Sequence, residues 1–374
     1  MNLQQEFPLK PDLVYLNHAA VAPWPTRTCE AVKRFAEENM MYGSKNYPLW
    51  LETESQLRNQ LKQLINAPSD KDIALVKNTS EALSLVAYGL HWQAGNNVVI
   101  SNEEFPSNRI VWQSLHSQGV EVRQADLKNP NQSPEASLIK LCDNNTRVLA
   151  VSSVQYASGL RLDLETLGKF CRANDILFCV DAIQSVGAVV FDVQKDLIDF
   201  AMADGHKWML GPEGLAFFYT HPQVREKLKL TQFGWHMVEH AGNFNLVEWN
   251  IAPDSRRFEC GSPNMLGIHA LSASLSLLLE TGMDTVESEI HRRTNRIIEC
   301  LSDHKNVTIV SNKALNRRAG IVTFNHDTYA TESLYKLLND NNVMCAMRGG
   351  GIRFSPHFYT PLEKIQQALN LIPN

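Results

Sequence analysis

The sequence predicts an α/β fold: a large domain on a mostly parallel, seven-stranded-type sheet covered by helices, followed by a smaller α+β domain. Two observations carry this. Between about residue 50 and residue 220, short apolar runs alternate with helical patterns, the order of parallel strands joined by crossover helices. Beyond about residue 261 the order changes to two long helices followed by strands. The chain has 374 residues, 44% of them apolar and 20% charged, enough to bury a substantial core without disulfide or metal staples.

The runs IALVKN (73–78), NVVIS (97–101), RVLAVSSV (147–154), ILFCVDA (176–182), FAMADG (200–205) and LAFFYT (215–220) read as strands, because continuous apolar sequence fits a strand buried on both faces. Helical patterns at 79–90, 106–118 and 163–174 lie between them. The polar stretch KNPNQSPEAS (128–137) reads as a loop within the large domain. Helical patterns at about 265–281 and 284–303 precede the strands VTIVS (307–311) and AGIVTFN (319–325). A helix near 331–340 follows, then the strands VMCAMR (343–348) and IRFSPHF (352–358) and a last helix from 361. The Gly261-Ser262-Pro263 turn marks the boundary: residues 21–261 form the large domain, and 1–20 with 262–374 the small one.

Composition excludes several classes of function. Lys plus Arg total 35 against 40 Asp plus Glu, a net charge of −5 with no basic block, which disfavours a nucleic-acid surface. Apolar runs such as ALSLVAYGL (82–90) fall short of the roughly 18 residues a membrane span needs. The start MNLQQEF has neither the basic nor the apolar stretch of a signal peptide. The seven cysteines are scattered with no CxxC pair, as expected of reduced thiols in a cytoplasmic protein.

The most informative segments are VDAIQSVG (180–187) and ADGHKWMLGPEG (203–214). One apolar strand ends in Asp181; a second ends just before Lys207 and a Gly/Pro-rich turn. Ligands of open α/β sheets bind at the carboxyl ends of strands, so both residues point at one rim. On these two residues alone a salt bridge is the commoner reading. In KNTSEAL (77–83) a strand ends and Thr79-Ser80 open a helix. Its free N–H groups and hydroxyls suit an anion, unless Thr79 or Ser80 serves only as an N-cap.

With VDAIQS and GHKWMLGPEG the chain resembles the fold-type I enzymes that use pyridoxal 5′-phosphate (PLP), and within them the class V aminotransferase and cysteine desulfurase group. The resemblance runs from YLNHAA (15–20) to the last helix. It implies that Lys207 forms the Schiff base with PLP, a task that needs an amine of lowered pKa. Asp181 is implied as the partner of the pyridine nitrogen, keeping the ring protonated as an electron sink. Gln184 is implied at the phenolic oxygen and His206 beside the lysine, a structural turn histidine being the alternative. Thr79 and Ser80 are implied at the phosphate. Ser262, in the turn Gly261-Ser262-Pro263-Asn264, corresponds to a Gly-Thr-Pro-Asn turn that reaches the neighbouring subunit's phosphate, which implies a homodimer with shared sites. Phe105 in ISNEEFPSNRIVWQ (100–113) takes the place of a histidine over the cofactor; it can stack but not transfer protons, and core packing is its alternative. Asp204 stands where desulfurases have a serine on the phosphate, and that role is not carried over to it. SSVQYASG (152–159) matches a loop with a polar side chain near the phenolic oxygen and leaves Gln155 and Tyr156 open. In RGGGIRFSPHFY (348–359), Arg353 is implied at the substrate α-carboxylate and Arg348 at the distal end, with Asn17 and His18 bordering the substrate.

Cysteine desulfurases carry a reactive cysteine between those two arginine positions. Here the interval is only Gly349 to Ile352, and Cys345 falls inside an apolar run as a small hydrophobe. A persulfide-forming desulfurase is therefore disfavoured. The implied chemistry is C–S β-elimination or transamination of an amino acid, with epimerisation or kynureninase-like hydrolysis as alternatives. The ending RGGGIRFSPHFY is more similar to the epimerase, kynureninase and C–S lyase branches. Two other classes were weighed. His236, Glu239 and His240 make an H-x-x-E-H zinc pattern, but Gly234 before it and Ala241-Gly242-Asn243 after it predict a loop, and no metal is expected. A non-catalytic binding module is disfavoured by the retention of Lys207, Asp181, Gln184 and the arginines.

Overall fold

The computed structural model describes residues 3–373. A short strand β1 (Val14–Tyr15) precedes two long helices, α1 (Thr26–Tyr42) and α2 (Tyr47–Leu64). The central sheet follows, with strands β2 (Ile73–Val76), β3 (Asn97–Ser101), β4 (Glu121–Ala125), β5 (Thr146–Ser152), β6 (Leu177–Asp181), β7 (Phe200–Asp204) and β8 (Ala216–Thr220). Between them run α3 (Thr79–Gly89), α4 (Ser107–Gln113), α5 (Pro134–Lys140) and α6 (Leu164–Ala173). The strand order is β2-β8-β7-β6-β5-β3-β4, with β8 running against the other six strands.

Strands β3, β6, β7 and β8 are buried at every residue. Helices cover both faces, so these strands read as unbroken apolar sequence. The edge strand β4, EVRQA, is exposed or half-buried at four of five positions. Charge on an edge discourages pairing with other chains, and it hides the strand from any search for apolar runs. The stretch 128–137 is not wholly loop: Ser133 accepts the Ala136 N–H as N-cap and Pro134 opens α5. Strand order changes direction at β3 and β5. From β3 the chain adds β4 on one side, while β5 to β8 build outward on the other. An α/β sheet opens for ligands at the carboxyl ends of such strands.

Helices α7 (Met265–Thr281) and α8 (Met283–Ser302) lead into β9 (Val307–Ile309), β10 (Val322–His326), α9 (Thr331–Asp340), β11 (Val343–Met344), β12 (Ala346–Arg348), β13 (Gly351–Phe354) and α10 (Leu362–Leu369). A second, antiparallel sheet has the order β12-β13-β10-β9. The run VMCAMR splits at Cys345, because β11 pairs with β1 instead. Met265, Ile268, Leu271 and Leu275 of α7 share the apolar cluster of the large sheet and α2, so that packing continues past the turn at 261–264.

The N-terminal segment is laced to the C-terminal part. Leu16 N–H donates to Met344 O, Ser355 N–H to Leu16 O, and His18 N–H to Ser355 O. This lacing buries His18, with Nδ1 2.8 Å from Ser355 O and Nε2 2.7 Å from the Tyr359 hydroxyl. Its ring lies 5.3 Å from that of His357. His357 Nδ1 accepts the Phe358 N–H, and Nε2 lies 3.0 Å from Trp208 O. Burial pushes the pKa of His18 down to about 4 and that of His357 well below its ordinary value.

Because the folded state refuses a proton that the unfolded state accepts near pH 6.5, this stability is complete above that pH. It is lost as the pH falls toward the folded value. For His18 the loss is expected to be about 1.4 kcal/mol between pH 7.5 and 5.5. Urea unfolding of wild type and His18→Gln at both pH values tests this: the wild type should lose about 1.4 kcal/mol more than the variant. Equal losses would mean that His18 is not held neutral.

Candidate active site

The loops leaving the carboxyl ends of the central strands surround a cavity of about 400 Å³. Asp181 is the last residue of β6, is buried, and accepts the Ile183 N–H on Oδ1 at 3.1 Å. Burial pushes its carboxyl up to about 6, with Lys207 pulling the other way. Lys207 follows β7 on the turn into β8 and is 8% exposed. Burial pushes its ammonium down to about 8, with Asp181 opposing and Arg353 assisting. Among the described residues no ion pair joins the two, so the salt-bridge reading fails. Both charges face the cavity instead.

The turn is fixed by Trp208. Its indole N–H donates to Gln184 Oε1 at 2.8 Å, and Gln184 Nε2 donates to Ala19 O at 3.0 Å. The indole fits because Gly320 has no Cβ, which would lie 2.1 Å from the ring. A Cβ on Gly187, at φ +91°, would lie 2.3 Å from Trp208 O. The amide of Gln184 keeps one N–H and one lone pair free of these two partners. Phe105 places its ring centroid 5.6 Å from Lys207 Nζ and meets Tyr156 edge-on at 5.1 Å.

At one end of the cavity is the start of α3. Asn78, not Thr79 or Ser80, is its N-cap and accepts the Glu81 N–H at 2.9 Å. Thr79 and Ser80 are the first helical residues, so their own N–H groups have no intrahelical acceptor. Thr79 Oγ1 accepts the Asp204 N–H at 3.1 Å, and Ser80 Oγ donates to Ser107 Oγ at 2.9 Å. An anion suits this end. His206 lines the cavity, its Nδ1 3.0 Å from Asp204 Oδ1.

At the other end Arg353, on β13, is 2% exposed and donates from Nη1 to Tyr156 O at 2.7 Å. Its Nε is buried without a partner. Burial and the neighbouring Arg348 push its pKa down to about 9, the mark of a buried cation that lacks an anion. Arg348, exposed, and Glu213 line the mouth. The β12–β13 hairpin turns on Gly349 (φ +58°) and Gly350 (φ +80°), with Arg348 opposite Gly351. This two-residue turn requires left-handed backbone at both positions and leaves no room for a cysteine-bearing loop. Cys345 is buried, its thiol pushed up to about 12.

Several expected site residues lie elsewhere. The N-terminal loop borders the cavity through Ala19, Ala20 and Val21, not Asn17 or His18. Both His18 ring nitrogens are occupied, and Asn17 is bridged to Ser355. Ser262, expected to serve a neighbouring subunit's site and not its own, is exposed and off the cavity wall of its own chain, as that role requires. Tyr156 is on the wall, whereas Gln155 lies behind it, donating to Glu104 Oε1 at 3.1 Å. His236, Glu239 and His240 lie in a loop, His236 buried and the other two exposed.

Sequence reasoning missed Glu104. Its buried carboxylate accepts from Ser101 Oγ, from Ser152 N–H and Oγ, and from the Asn108 and Gln155 amides, at 2.6 to 3.1 Å. It thus ties the end of β3, which carries Phe105, to the end of β5, which carries Tyr156. Burial pushes its carboxyl up while these donors pull it down. The available signal was an acid three residues beyond a buried strand. Glu104→Ala strands several buried donors and is expected to cost roughly 3 kcal/mol or more of stability. Glu104→Gln should cost less. Denaturant unfolding measures both, and a cost below about 1 kcal/mol for the alanine variant would contradict the hub role.

The described geometry agrees with comparisons to known proteins. A family model described as Aminotransferase class-V matches residues 14–367. A probable cysteine desulfurase of Methanothermobacter thermautotrophicus is 30% identical, the alignment covering 98% of this chain and 95% of that protein. An uncharacterized aminotransferase of Bacillus subtilis is 27% identical, covering 90% and 87%. Among solved structures, the apo cysteine desulfurase of Thermococcus onnurineus has a TM-score of 0.87 at 24% identity, covering 99% and 96%. The cystine C–S lyase C-DES, in complex with cysteine persulfide, has a TM-score of 0.89 at 22% identity, covering 97% and 98%. At these identities the structures show a shared fold.

Proposed function

Because this chain belongs to the class V aminotransferase family and is a PLP-dependent enzyme, we propose that it withdraws the Cα proton of an α-amino acid, leading to C–S β-elimination or to transamination. The observation that carries the reading is the convergence of a buried lysine, a buried carboxylate and a buried, anion-free arginine on one cavity. The residues fit the cofactor. Arg353 Nε, Asp204 Oδ1 and His206 Nδ1 are buried without hydrogen-bond partners, and the α3 start offers N–H donors.

Bound PLP supplies an electron sink that acidifies the substrate's Cα–H. Asp181 holds a proton at the pyridine nitrogen, and a cationic partner there offsets the cost of its burial. Lys207, its ammonium pushed down to about 8 by burial, gives up its proton far more readily than an ordinary lysine. It therefore has the free base needed to take a proton from Cα. Arg353 orients the substrate by its carboxylate. Phe105, beside Lys207, would stack on the cofactor and exclude water, and Gln184 would offer it its remaining N–H. Ser262 serves the partner subunit's phosphate in a homodimer. The tight Gly349-Gly350 turn and the protonated Cys345 support a lyase or transaminase over a persulfide-forming desulfurase.

The test is the visible spectrum of the purified protein during titration with amino acids, cysteine and cystine included. Stoichiometric bleaching reversed by a keto acid marks a transaminase; recovery unaided while pyruvate accumulates marks a β-eliminating lyase. A spectrum that no amino acid perturbs, with full activity in Lys207→Ala, would overturn the reading. Arg353→Ala should raise KM about 10- to 100-fold, the worth of a charge-assisted hydrogen bond. An unchanged KM would place the carboxylate elsewhere.

A further inference from the structure

The phosphate end of the cavity contains a misfit. Asp204, the last residue of β7, is 8% exposed on its side chain and lines the cavity beside the start of α3. Its backbone N–H on Thr79 Oγ1 pins it there. An anion drawn to the Thr79 and Ser80 N–H groups therefore meets a carboxylate. Asp204 Oδ1 and His206 Nδ1 are 3.0 Å apart, yet both are buried and neither is aligned to any hydrogen-bond partner. Two such atoms side by side are costly unless something completes them. The other charged groups facing this end are Lys207 on the turn, Asp181 on β6, Glu213 at the mouth, and Arg348 and Arg353 from the second sheet. Glu81 of α3 is turned away, accepting the Lys77 N–H at 2.6 Å.

We propose that Asp204 and His206 form a proton-accepting pair that binds the cofactor's phosphate, the site taking up one proton as the phosphate enters. This rests on the PLP reading and adds to it a specific positioning role. A carboxylate and a phosphate dianion side by side repel. One proton from solvent, shared by Asp204 and His206, removes that repulsion and turns the pair into a hydrogen-bond donor. No bond to phosphorus forms or breaks. Binding is then coupled to pH by linkage, and affinity falls as the pH rises.

The experiment uses the full-length chain freed of cofactor, with pyridoxamine 5′-phosphate as probe. This carries the same phosphate but no aldehyde, so Lys207 does not condense with it. Calorimetry at pH 8, where a free phosphate monoester is mainly dianionic, in buffers of different ionisation heat counts protons. Wild type should take up close to one per site, Asp204→Asn and Asp204→Ser less than half of one. Above pH 8 the wild-type Kd should rise about tenfold per pH unit more steeply than that of Asp204→Asn. Pyridoxamine, without the phosphate, should show no difference between wild type and variants. Wild-type uptake near zero, or equal uptake in wild type and variant, overturns the proposal even if a variant folds poorly. Failure of wild type to bind the probe at all overturns the cofactor reading and this inference with it.

Discussion

The site depends on keeping opposite charges close, buried and unpaired. Asp181 and Lys207 stand at the ends of adjacent strands and influence each other's protonation, yet no ion pair joins them. A direct salt bridge would satisfy both groups and leave nothing for a ligand. Holding them apart costs free energy, since buried charge is expensive without a partner. The rest of the fold supplies the rigidity to sustain it. Strands β6 and β7 are buried along their whole length, Trp208 locks the turn behind Lys207, and Glu104 clamps the loops that carry Phe105 and Tyr156.

The same logic extends to Arg353 and the phosphate end. Arg353 is buried beside Arg348, with one nitrogen unpartnered. Asp204 Oδ1 and His206 Nδ1 are buried and unaligned. These groups make sense as a set completed by a charged cofactor and a charged substrate. The antiparallel sheet contributes the arginines, and the lacing of residues 14–18 to residues 342–355 holds that sheet against the cavity through Ala19 to Val21.

Much of this was legible in the sequence, for physical reasons. Strands buried on both faces must be apolar throughout, so β3, β5, β6, β7 and β8 stood out, and the acid and lysine at their ends followed. The edge strand β4 escaped because nothing demands apolar residues there. Helices α1 and α2, which pack against α7, went unread. Glu104 was missed because three of its five donors come from Ser152 and Gln155, some fifty residues away, and only the fold brings them to it. Asn17 and His18 were expected at the substrate from the family resemblance, but the pairing of their segment with Ser355 buries His18 in the lacing and leaves both off the cavity wall. Gln155 and Tyr156 are adjacent in sequence, and only the fold shows which of them reaches the cavity.

The central claim is that Lys207 is the lysine that carries the cofactor. Borohydride reduction of the cofactor-loaded protein fixes the cofactor covalently, and mass spectrometry of the proteolytic peptides locates it. The account predicts modification at Lys207 alone. Modification of another lysine, or none in a protein that contains PLP, would contradict it.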